Sequence, residues 1–299
     1  MANLTETEAS DLFRSPPTRM VPVGGDAEVA VRTVGSGPHV LFVHGWPVHG
    51  ATFRRLLPRV SQVATCHLVD LPGAGSSRFT PSTPVSIDLH VRSVREVVTA
   101  LELDDVTVVG HDSGGMIARH ALAGDARVRG FGLIDTEPAG SAGWRFRSFV
   151  SMRHIPGLGA ALGWAAGNRT IRRNQFVFGG AFADRSMLDG EFDEFFLRPL
   201  HTQPEVRAAA HRILRSFDWR FVDELAALHR RIDVPVRLIW GERDVFFPVE
   251  RARATVGTFP RADLQVIEGA GLFSHEERPA EVAAALVEFV DGGRRPTAE

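Results

Sequence analysis

VTVVGHDSGGMIARHALAG, residues 106–124, decides how the rest of this chain reads. Its first half is short, β-branched and apolar, as a strand buried on both faces requires. From Met116 the pattern suits a helix, which Gly124 closes. Gly110 and Gly114 stand two positions either side of Asp112. A chain passing from strand to helix at such a junction must turn sharply, with its central residue strained and exposed at the tip. The helix start then lies beside that residue and favours negative charge.

The same strand-then-turn shape recurs on both sides. Residues 28–37 alternate and end in glycines, while 39–47 (HVLFVHGWP) and 63–73 (VATCHLVDLPG) read as buried strands ending in turns. Residues 86–103 carry apolar side chains at helical spacing. Downstream, 129–138, 234–244 and 264–271 read as further strands. Between them, 139–230 holds no clear buried strand and reads as several short helices. Ser274 and Glu277 form an S-x-x-E capping box ahead of a last helix striped by Val282, Leu286, Phe289 and Val290. The expected class is α/β, with a mostly parallel central sheet and helices on both faces. Its core would be 21–138 and 231–291. Residues 139–230 would be a helical lid over the C-terminal edge of the sheet, and 1–20 and 292–299 loose ends.

Composition narrows the function classes. The 299 residues are 44% hydrophobic and 23% charged, with 34 basic and 36 acidic residues, so no basic field points to nucleic acid or an anionic membrane. A single cysteine, Cys66, excludes an intrachain disulfide, and no secretory signal is visible, which together suggest a cytoplasmic protein. No apolar run approaches the roughly 20 residues that span a bilayer. All the basic residues are arginine and there is no tyrosine, which removes lysine Schiff-base chemistry and phenol proton donors. A small-molecule substrate is expected, without cofactor or metal.

Gly110-His111-Asp112-Ser113-Gly114 has the spacing of a nucleophile elbow, with a carboxylate at its centre. Such a carboxylate attacks an sp3 carbon bearing a leaving group and yields an ester.

Four segments together resemble the α/β-hydrolase superfamily, in the branch of haloalkane dehalogenases, fluoroacetate dehalogenases and epoxide hydrolases. They are His44-Gly45-Trp46-Pro47, the turn Asp70 to Ser76, Gly110-His111-Asp112 and Gly241-Glu242-Arg243-Asp244. The resemblance spans about residues 28–291. It implies an α/β-hydrolase fold with Asp112 as nucleophile and the backbone N–H groups of Trp46 and Ser113 as an oxyanion or halide pocket. The Trp46 indole N–H is a further candidate donor. It makes Asp244 the acid that orients the base, with Glu137, and less so Asp135, as the alternative. His44 and His111 would orient loops, His44 at the edge of the substrate pocket. Trp144, Phe146, Phe149, Trp164, Phe176, Phe178, Phe195 and Phe196 promise an aromatic lid.

The branch places its histidine base in a G-x-G-H-F segment. Here Gly269-Ala270-Gly271-Leu272-Phe273 puts Leu272 there, and leucine takes no proton from water. His275, three residues on, is the substitute base to be tested. Lid tyrosines that would protonate an epoxide are missing as well. The resulting reading is an enzyme with Asp112 as nucleophile on a small apolar or aromatic substrate, its hydrolytic step impaired or altered. Two alternatives stand beside it: a non-hydrolytic lyase, isomerase or cyclase using Asp112 as base, and a catalytically dead binding scaffold.

Overall fold

A computed structural model describes residues 4–140 and 142–292. Eight strands form one sheet: β1 (Arg19–Pro22), β2 (Glu28–Gly35), β3 (His39–Val43), β4 (Thr65–Asp70), β5 (Val106–His111), β6 (Val128–Ile134), β7 (Val236–Gly241) and β8 (Ala262–Ile267). Their order is β1-β2-β4-β3-β5-β6-β7-β8. β1 and β2 pair antiparallel, and β2 runs antiparallel to β4. Every pair from β4 onward is parallel. All six residues of β5 are buried, which explains why this strand reads as an unbroken apolar run rather than an alternation.

The order of strands places the site. From β3 the chain first adds β4 on one side, then returns to add β5 on the other. Parallel sheets bind ligands where the order reverses in this way, at the carboxyl ends of the flanking strands. Val43 of β3 lies opposite Gly110 of β5, so the turn carrying Trp46 and the turn carrying Asp112 emerge side by side. Gly114 makes the approach possible, because a Cβ there would overlap the backbone carbonyls of Val43 and His44.

Between β6 and β7 the described residues form only helices and turns, including Trp144–Ser151, Leu158–Gly167 and Pro204–Arg215. No described helix is long and apolar enough to cross a membrane.

Two expectations need correction. Residues 1–20 are not loose throughout: Glu6–Arg14 is a helix with a Thr5/Glu8 capping box, and β1 begins at Arg19. Phe13 is buried in the core, and buried Arg32 bonds the carbonyls of Leu12 and Ser15, which ties this segment down. Of the expected loose end 292–299, all but Gly292 lies outside the described residues. The Ser274/Glu277 capping box does not form. The Ser274 hydroxyl donates to Asp135, and Glu277 accepts from the N–H groups of Gly271 (2.6 Å) and Asp184 (2.7 Å). A short helix, Ser274–Glu277, precedes the long Pro279–Gly292, which begins on the proline instead. A helix at Val249–Val256, not foreseen from the pattern, covers β7 and β8.

Candidate active site

Asp112 has φ 51° and ψ −136°, a conformation a non-glycine residue adopts only when its surroundings impose it. Its Oδ2 accepts the backbone N–H of Trp46 at 2.8 Å, and the backbone N–H of Ser113 also bonds the carboxylate. These are two fixed donors at the start of the helix Ser113–Leu122, where the helix dipole adds to them. Gly45 leaves the room, since a Cβ there would overlap the Asp112 carboxylate. The Trp46 indole is not a further pocket donor: it donates to the Ala210 carbonyl at 2.9 Å, and its ring packs against Phe149.

A cavity of about 580 Å³ opens above the carboxylate, within the range of small-molecule sites. Trp46, Asp112, Ser113, Glu137 and Leu272 line its floor and wall, and Trp144, Phe146, Phe149, Trp164, Phe176 and Phe178 line it from the helical insertion. Trp144, Trp164 and Phe176 are largely exposed, so they form the rim rather than the interior. Phe195 and Phe196 do not belong to it. They are buried and line a separate cavity of about 240 Å³, together with His44 and His49. His44 is likewise displaced from the expected pocket. Its Nε2 accepts the Leu71 N–H at 2.8 Å and its Nδ1 meets the Gly45 carbonyl, so it braces two loops.

Four carboxyl groups gather at the ends of β5, β6 and β7. Asp112, Asp135, Glu137 and Asp244 are all at most 7% exposed. Asp135, at φ 39°, accepts from the Gly241 N–H at 2.6 Å and from Ser274, which joins β7 to the loop before the last helices. Asp244 Oδ1 accepts the N–H groups of Phe246 (2.8 Å) and Phe247 (3.0 Å). Its Oδ2 is buried without a partner. Loss of water raises the Asp244 pKa to about 7, against the two N–H bonds that lower it. Burial, then Glu137, and also Asp244, raise that of Asp112, opposed by the donors from Trp46 and Ser113.

Leu272 stands on the cavity wall, and its carbonyl accepts from His111 Nε2 at 3.0 Å. His275 does not replace it. The ring is fully buried, its Nε2 sits 2.7 Å from Thr52 Oγ1, and it packs 4.3 Å from His111 and 5.5 Å from Phe53. The short helix Ser274–Glu277 turns it away from the cavity, and burial holds its pKa well below the ordinary value. His275 is not among the residues that line the cavity above Asp112.

Arg119 was not singled out by the sequence. It is fully buried and fans out to Gly115 O, His229 Nε2, Thr136 Oγ1 and Glu137 O, at 2.9–3.0 Å. It therefore clamps the helix that starts at the elbow to the loop that carries Glu137. Among the described residues, no group of His, Cys, Asp and Glu side chains is arranged to hold a metal ion.

The carboxyl cluster gives a pH signature. A carboxyl group with a raised native pKa binds its proton more tightly folded than unfolded. Its stabilising contribution is complete below the unfolded value of 3.8 and is lost as pH rises through about 7. Asp244→Asn keeps the acceptor for Phe246 and Phe247 but cannot ionise. Relative to wild type, the variant therefore gains stability between pH 4 and 7, with a limiting slope of about 1.4 kcal/mol per pH unit. Urea unfolding of both proteins across that range checks it.

A family model described as alpha/beta hydrolase family matches residues 40–285. A pimeloyl-[acyl-carrier protein] methyl ester esterase of Chromobacterium violaceum is 28% identical over 265 residues, 87% of this chain and 97% of its own length. The solved structure of wild-type DBJA superposes with a TM-score of 0.78 at 21% identity, covering 94% of this chain and 100% of its own. A thermophilic esterase from Thermogutta terrifontis superposes at 0.70 with 20% identity, covering 93% and 99%.

Proposed function

The chain belongs to the alpha/beta hydrolase family, and from that premise we propose that Asp112 is a carboxylate nucleophile acting on a small apolar or aromatic substrate. One observation carries this reading: the elbow residue is a carboxylate whose Oδ2 is already seated on the N–H of Trp46, leaving Oδ1 to attack. Attack at an sp3 carbon forms a C–O bond to Oδ1 and expels the leaving group with its electron pair. Oδ2 becomes the ester carbonyl oxygen without leaving the Trp46 N–H. That donor, with the Ser113 N–H beside it, would take the negative charge when a nucleophile later adds to that carbonyl. A carboxylate attacking an acyl ester would instead form an anhydride, so the activity named for the esterase relatives is not carried over.

Hydrolysis of the ester needs a base, and Leu272 supplies none. With a haloalkane the reaction therefore stops after one equivalent. Incubation with a primary aryl-alkyl bromide is expected to add one alkyl group per chain, within the tryptic peptide 96–119 and on Asp112. Asp112→Asn should carry none. Absence of the adduct in wild type, or its appearance on Cys66 or a histidine, would overturn the reading.

The raised proton affinity of Asp112 favours a second reading, in which it is a general base for a rearrangement. That reading predicts a rearranged product, no adduct, and no oxygen taken from solvent.

A further inference from the structure

We propose that the mouth of the substrate cavity is a docking surface for an anionic lipid bilayer: residues 144–176 of the helical insertion seat their exposed aromatic side chains at the headgroup boundary, and apolar substrate enters the cavity from there. The proposal does not depend on the chemistry of Asp112.

The first observation is where the exposed apolar side chains gather. Among the described residues the large ones are Trp144, Met152, Ile155, Trp164 and Phe176. All lie within residues 144–176, and all but Ile155 line the cavity above Asp112. Ile155 adjoins them through a turn. Its N–H bonds the Met152 carbonyl at 2.9 Å, and its own carbonyl accepts from Leu158, another cavity residue. Trp144 and Phe176 are neighbours, because the Arg145 guanidinium lies 5.2 Å from the centre of each ring. Single exposed apolar residues scattered over a surface are ordinary; a ring of them around one opening marks an interaction site. Tryptophan is also the side chain that settles where hydrocarbon meets headgroups.

Charge selects the occupant. Residues 138–183 contain six arginines and no aspartate or glutamate. Arg169, Arg172 and Arg173 are paired with Asp189 or Asp193. Arg145, Arg147 and Arg153 have no carboxylate partner among the described residues. Arg145 and Arg153 donate to the carbonyls of Gln175 and Val150, and Arg147 lies over the Trp219 ring, so their charges stay uncompensated. The near balance of charge over the whole chain conceals this local cationic rim. A cation at an anionic membrane surface strengthens partitioning by about fivefold. A second copy of this chain suits the rim less well, because a two-fold contact here would set one cationic face against another. Lipid also suits the cavity behind the rim, whose walls are mostly aromatic and aliphatic. A substrate dissolved in hydrocarbon would pass from the bilayer into that space without first being transferred to water.

Flotation of the full chain with phosphatidylglycerol vesicles and with phosphatidylcholine vesicles tests the proposal. Wild type should bind the anionic vesicles about 100-fold more tightly, the product of three uncompensated arginines. Arg145→Ser, Arg147→Ser and Arg153→Ser combined should remove that preference. Trp164→Ser with Phe176→Ser should weaken binding to both vesicles by at least about tenfold, the scale of one buried aromatic side chain. Brominated acyl chains should quench wild-type tryptophan emission, and Trp144→Phe with Trp164→Phe should abolish the quenching. No flotation of wild type, equal binding to both vesicles, or unchanged flotation in both sets of variants overturns the proposal. A dimer in place of vesicle binding, dispersed by Trp164→Ser with Phe176→Ser, overturns it in favour of a second copy. Binding to polyglutamate with none to vesicles overturns it in favour of an acidic protein. None of these readouts involves alkylation of Asp112, so the nucleophile stands or falls separately.

Discussion

Leu272→His is expected to turn one-equivalent alkylation by a haloalkane into repeated turnover. The surrounding site already has what an imidazole base requires. Asp244 stands with Oδ1 held by two N–H groups and Oδ2 buried and empty-handed, so an acceptor is present for the second ring nitrogen. Leu272 and Asp112 line the same cavity, so a ring built at position 272 borders the space in which the ester forms. A positioned base contributes about 10²- to 10⁴-fold, and deacylation should accelerate by that amount. Pairing also relieves Asp244, whose pKa should fall from about 7 as it gains a donor, and the Asp244→Asn change in the same background should remove much of the gain. Halide release followed over many equivalents reads the effect. Unchanged one-equivalent behaviour in a folded variant would mean that the pocket no longer admits water to the ester.

Much of this site could be read from the residues alone, because its physics is local. Two glycines around Asp112 announce a turn that no other residue type permits, and the strands beside it are apolar runs of the length a covered parallel sheet demands. The expectation that Leu272 takes the base position was equally local, since Gly271 and Phe273 bracket it. What escaped notice depends on partners far away in the chain. Arg119 sits in a helical stretch, MIARHALAG, where an arginine ordinarily faces water, and its burial follows from acceptors at Thr136, Glu137 and His229 that periodicity cannot see. His275 lies within three residues of the vacant position, yet one turn of helix carries its ring to Thr52. The Trp46 indole is engaged by Ala210, 164 positions away. The helix Glu6–Arg14 is a different case. Its Thr5/Glu8 capping box is a local signal that stands in the sequence, and only the position near the terminus argued against it.

The second large effect is an all-or-none transfer of oxygen. A direct attack of water on substrate and an attack by Asp112 give the same alcohol, but they place solvent oxygen differently. In the nucleophile account, the first alcohol carries an oxygen that belonged to Asp112, because water adds to the ester carbonyl rather than to the substrate carbon. The carboxylate is rebuilt with one solvent oxygen. No other residue of the peptide 96–119 takes part, and Asp112→Asn should abolish both products of the exchange.

Leu272→His, mixed in excess with an aryl-alkyl bromide in oxygen-18 water and stopped after a single turnover, tests this directly. The account predicts unlabelled alcohol and a peptide 96–119 heavier by one oxygen-18, with the label on Asp112. Labelled alcohol beside an unlabelled peptide would contradict it.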